Sequence, residues 1–133
     1  MISARLKWTE QMRFEGTATS GHTVITDADS KVGNSPMELV LIALCGCTAS
    51  DVVSILKKKR EPFTAVEVRA EAEKAPEPPR VYTAIKVLYR VSGKVSRKSV
   101  EDAVRLSEEK YCSVSAMLQK TATITYQIEL DSP

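Results

Sequence analysis

Three cysteines and a single histidine are the side chains of this 133-residue chain whose types could do covalent or redox chemistry. Cys45 and Cys47 stand two apart in an apolar run, Cys112 follows 65 positions after Cys47, and His22 lies in Ser20-Gly-His-Thr. A thiolate attacks peroxides and disulfides, whereas a neutral thiol in an apolar helix is a small, inert hydrophobe. A zinc site is the first rival. Within a helix, however, C-x-C sets its two sulfurs about 200° apart around the axis, at ~100° per residue, so they cannot converge on one ion. With one histidine to complete a ligand set, no metal is expected. The same divergence forbids a Cys45 to Cys47 disulfide, so only one of the pair can face a given site. Asp51, one turn after Cys47, would oppose a thiolate there. Cys112 stands where a fresh helix begins, and the backbone donors of that start favour a thiolate. The residues by themselves leave reactive thiols and simple core packing both open.

Composition narrows the setting. A chain of this length holds one domain, and 43% apolar with 27% charged residues is an ordinary globular balance. The formal net charge of +2 is too small to call for a nucleic-acid or anionic-membrane partner. An odd cysteine count argues against the disulfide framework of a small secreted domain. The first residues, MISARLKWTEQMRFEG, lack the apolar core of a signal peptide, so a cytoplasmic location is expected. The longest uncharged apolar stretch, Leu39 to Ala49, is about half of the roughly 20 residues that span a bilayer, which reads as a buried helix and no membrane partner.

The elements that must position the thiols follow from periodicity. Ile2, Ala4, Leu6 and Trp8 alternate with Ser3, Arg5, Lys7 and Thr9, a period of two that opens a three-stranded meander over 1–27, with Ser20-Gly21 as one of its turns. After a polar loop, Ser35-Pro-Met-Glu38 has an N-cap serine, proline at the first helical position and a glutamate able to close a capping box. The central helix is expected over 36–59, closed by Lys57, Lys58, Lys59 and Arg60 and stopped by Pro62. Apolar residues run almost all round it, so it should be packed on more than one side. Strands are expected over 64–73 and 80–92 with a stiff proline-rich connection, helices over 96–110 and 112–120, and a last strand over 122–130. In the first of these helices Val100, Ala103, Val104 and Ser107 share a face. The fold class is α+β, with antiparallel sheets around a central apolar helix.

Two segments carry a resemblance to a known family. Ser35-Pro-Met-Glu-Leu-Val-Leu-Ile-Ala-Leu-Cys-Gly-Cys47 with the following Thr48 to Leu56, and Glu109-Lys-Tyr-Cys112-Ser-Val-Ser, resemble the two cysteine motifs of the OsmC/Ohr superfamily, the osmotically inducible and organic hydroperoxide resistance proteins. Ser20-Gly-His-Thr-Val-Ile-Thr-Asp27 is similar to the OsmC-related branch described as predicted redox proteins. The resemblance implies an intertwined homodimer with its active sites at the interface. It also implies that Cys47 attacks a small organic hydroperoxide and Cys112 resolves the sulfenic acid as a disulfide, with Cys45 left to packing. No bound cofactor is implied, only an external dithiol reductant of the lipoyl type.

This chain departs from the family pattern at the charged pair around the reactive thiol. The peroxidases place a glutamate ten positions before the first cysteine, paired with an arginine of the N-terminal sheet; here that position is Met37. Glu38 lies about 180° around the helix from Cys47 by the same ~100° step, and its capping role already accounts for it. Arg5, Arg13 and Arg80 are the arginine candidates. His22 is a further candidate, because an imidazole facing Cys47 would lower its pKa or take its proton. The resemblance therefore implies a thiol peroxidase. Two alternatives stay open: an OsmC-like protein that binds a small apolar or sulfur-containing ligand at the interface or senses redox state, and a structural dimer with buried cysteines.

Overall fold

The computed structural model describes residues 1–131, and the chain divides into two compact units, residues 1–41 and 42–133, taken in turn. In the first unit, β1 (Ala4–Glu10), β2 (Arg13–Ala18) and β3 (Thr23–Asp27) form an antiparallel sheet in that order, with Leu6 opposite Gly16 and Gly16 opposite Val24. The β2–β3 turn uses Gly21 at φ +85°, a left-handed backbone that glycine adopts without strain, and its N–H closes the turn on the Ala18 carbonyl. The polar loop after β3 is organised by Asp27, whose carboxylate accepts the backbone N–H groups of Asp29, Lys31 and Val32. The Val32 bond leads in holding its carboxyl below the usual carboxylate range, with Asp29, Lys31 and the Arg13 guanidinium acting the same way and burial opposing them.

Helix α1 (Pro36–Lys58) begins in the first unit and runs through the second. Its start is the expected capping box: Ser35 Oγ accepts from Glu38 N–H at 3.2 Å, and Glu38 Oε1 accepts from Ser35 N–H at 2.9 Å. Between Glu38 and Lys57 the only charge is Asp51, so a window of this 23-residue helix reaches a mean hydropathy of 2.2. By length and composition alone it could cross a membrane. Within the chain it is instead a core helix on one stripe only: Leu44, Thr48, Val52 and Leu56, four residues apart, are the buried positions. The other residues of the helix are half-buried or exposed.

The second unit is a sheet with helices. Strands β4 (Phe63–Lys74), β5 (Tyr82–Gly93) and β6 (Thr123–Asp131) lie in the order β4-β5-β6. β5 is central, and alternate residues Ile85, Val87, Tyr89 and Val91 are fully or almost fully buried, as period two requires. The expectation of wholly antiparallel sheets needs one correction. β4 and β5 are antiparallel, but β5 and β6 are parallel. A parallel neighbour needs a long crossover, and the helical segment between β5 and β6 supplies it.

That segment differs from the expected straight helix over 96–110. Helix α2 (Arg97–Leu106), N-capped by Ser96, passes into a π turn (Ser107–Tyr111), and helix α3 (Ser113–Leu118) follows with Cys112 as its N-cap. The π turn closes where the Cys112 N–H reaches back five residues to the Ser107 carbonyl at 2.8 Å. Val100, Ala103, Val104 and Ser107 form the buried face, as the pattern indicates.

Candidate active site

Cys47 and Cys112 meet in the second unit. Cys47 is half-buried beside the buried stripe of α1, and Cys112 is buried at 4% exposure on the N-cap of α3. All three cysteines are free thiols. The Cys112 sulfur accepts the Ser115 N–H at 3.4 Å and interacts with the Cys47 side chain. Its thiol is pushed up to about 12, first by burial, then by the hydrogen bond with Cys47, the Cys47 charge and the Glu108 carboxylate, against the lowering effect of the Ser115 N–H. This corrects the expectation that a helix start would favour a Cys112 thiolate. One donor from a six-residue helix is outweighed by desolvation and two acidic neighbours. Cys45 is half-buried, and burial raises its pKa too.

Behind the thiols runs a buried polar chain that periodicity does not reveal. Asp51 Oδ2 accepts from Ser107 Oγ at 2.9 Å, and Ser107 Oγ lies 2.8 Å from Thr48 Oγ1. Thr48 Oγ1 is 2.6 Å from the Tyr89 hydroxyl, which donates to Glu108 Oε1 at 2.5 Å. Ser115 Oγ donates to the other oxygen, Glu108 Oε2, at 3.2 Å. Tyr89 is fully buried and its phenol is held well above its ordinary pKa, by burial first and by Glu108 second, so it stays a donor. Every member is partnered, which is the condition for burying such groups without a large penalty. The one signal in the sequence was Ser107, a polar residue on an otherwise apolar helix face.

The remaining candidates each have surroundings of their own. Glu38 is occupied at the start of α1, where Oε1 also accepts from Ser30 Oγ at 3.0 Å. Arg13 bonds Glu10 at 3.1 Å and approaches Asp27 at 3.9 Å. Arg80 is exposed in the proline-rich connection. His22 is exposed, with Nδ1 3.0 Å from Ser20 Oγ, and it shares with Arg5, Leu6 and Val24 a cleft on the meander. Among the described residues, no group of three or more His, Cys, Asp or Glu side chains is placed to hold a metal ion.

Comparison with known proteins bears on the family and the fold. Residues 27–127 match the model of the OsmC-like protein family. The chain belongs to the OsmC-like family. It is 44% identical over 131 residues to Protein YhfA of Escherichia coli K12, covering 97% of this chain and 98% of that one. A crystal structure of a protein from Aquifex aeolicus VF5 superposes with a TM-score of 0.92 at 30% identity, covering 100% of this chain and 98% of the other. The organic hydroperoxide resistance protein OsmC of Legionella pneumophila shares the fold at a TM-score of 0.72 and 12% identity, covering 97% and 96%. The OsmC-like match spans both cysteine-bearing elements, α1 and the start of α3.

Proposed function

We propose that the protein is a thiol-dependent redox protein that reduces organic hydroperoxides through Cys47 and Cys112. The observation that carries the reading is the contact between the half-buried Cys47 thiol and the buried Cys112 thiol, both reduced and unbridged. In the first step the Cys47 thiolate attacks the terminal peroxide oxygen; the S–O bond forms, the O–O bond breaks, and the alkoxide leaves as the alcohol after taking a proton. In the second step Cys112 sulfur attacks the Cys47 sulfenic acid. The S–S bond forms, and hydroxide leaves with the Cys112 proton as water. An external dithiol of the lipoyl type then returns both thiols and becomes a disulfide itself. The working unit is a homodimer, and no bound cofactor takes part.

Anaerobic stopped-flow mixing of reduced protein with cumene hydroperoxide, followed by thiol counting, tests this. Rapid loss of two thiols, with peptide mapping that joins Cys47 to Cys112, is expected. Three thiols persisting at millimolar oxidant would refute catalysis. Met37, where the peroxidases place their glutamate, favours in that event the second reading, a small apolar or sulfur-containing ligand bound at the dimer interface.

A further inference from the structure

The buried polar chain contains a carboxylate that the reaction above does not use. Glu108 stands on the π turn, half-buried, and is tied to both cysteine-bearing elements. Through Oε1 it holds the Tyr89 hydroxyl, which is bonded to Thr48, the residue next to Cys47. Through Oε2 it holds the Ser115 hydroxyl, and the N–H of the same Ser115 caps the Cys112 sulfur. The Gln119 amide donates to the Glu108 carbonyl at 3.3 Å and to Ser115 Oγ at 3.1 Å, fixing the turn against α3. A π turn widens the backbone by one residue. Here it directs Glu108 toward the thiols while Ser107 keeps the buried face of α2.

We propose that Glu108 is a positioning residue that sets the order of the two thiols: its carboxylate, seated by Tyr89 and by the Ser115 whose N–H caps the Cys112 sulfur, disfavours charge on Cys112 and reserves it as the resolving partner of Cys47. Burial raises the Cys112 thiol first and Cys47 next, and the Glu108 charge adds to them in the same direction. The other titratable groups facing Cys112 are Cys47 from α1 and Tyr89 from β5. Asp51 reaches the chain only through Ser107 and Thr48. Two thiolates side by side would repel each other, so the pair takes at most one negative charge, and its location decides which sulfur meets the oxidant. The inference rests on the two-thiol reading above, but its test needs no peroxide.

The experiment is competitive alkylation of the reduced full-length protein with limiting iodoacetamide between pH 7 and 10, with the Cys112 to Cys47 labelling ratio read by peptide mapping. In the wild type Cys47 should label first. Glu108→Gln should raise the ratio severalfold. Glu108→Met should raise it likewise, and Glu108→Asp, which keeps the charge, should stay near wild type. A residue that merely braced the turn would be replaced by the isosteric, uncharged Glu108→Gln with the ratio unchanged, and only Glu108→Met, which loses the polar contacts, would expose the buried Cys112 and raise it. An unchanged ratio in a folded Glu108→Gln variant overturns the proposal, as does a wild type in which Cys112 labels before Cys47. Because no oxidant is added, a failed peroxidase assay and a failed Glu108 assay are separate results.

Discussion

A nucleophilic thiol needs a group that stabilises its anion, and in this chain the usual glutamate position holds Met37. Around Cys112 the structure shows the opposite influence, burial and a carboxylate, which suits a resolving thiol and not an attacking one. The compensating group for Cys47 is sought among cations. Arg13 is engaged by Glu10 and Asp27, whereas His22 is exposed and bonded to Ser20, so its imidazole is open to a second copy of the chain. His22→Ala is expected to slow Cys47 alkylation at neutral pH roughly tenfold without unfolding the protein. Equal rates for mutant and wild type from pH 6 to 9 would make His22 structural and turn the search to Arg80, Arg13 and Arg5.

Among the elements, α1 is the one on which the site depends, because it carries Cys47 and Thr48 in neighbouring positions, one toward the thiol contact and one into the buried chain. Its register is anchored at its N-terminus by the reciprocal bonds of Ser35 and Glu38. Ser35→Ala leaves the Glu38 N–H without its side-chain acceptor and should cost about 1 kcal/mol of unfolding free energy, measurable as a lower denaturation midpoint at an unchanged denaturant slope. A neutral effect would mean that tertiary packing alone fixes the helix start. The π turn between α2 and α3 is the second decisive element, since it separates the buried hydroxyl of Ser107 from the carboxylate of Glu108.

At the scale of the molecule, the unburied apolar surface calls for a partner. α1 buries a single stripe, leaving Ile42 52% exposed, and on the meander Leu6, Trp8, Val24 and Ile25 are exposed as well. Surfaces of this kind are covered in obligate assemblies, whose interfaces resemble a core cut in half. Sedimentation equilibrium at micromolar concentration is expected to give twice the 14.6 kDa chain mass. A monomer there would remove both the homodimer and the proposed role of His22.

The order of elements, the capping box of α1 and the pairing of the meander were legible in the sequence because each rests on local causes: side-chain period, a cap, a glycine turn. Cys47 and Cys112 were legible only through resemblance, since no periodicity brings together residues 65 apart. Three features belonged to the tertiary structure. The parallel β5–β6 pairing depends on where a crossover lands, the π turn on how α2 enters α3, and the chain from Asp51 to Glu108 on hydroxyls of four different elements converging in one core. The high Cys112 pKa has the same origin. A sequence shows a thiol at a helix start, but the desolvation that overrides the helix donors arises only when α1, β5 and the π turn close around it.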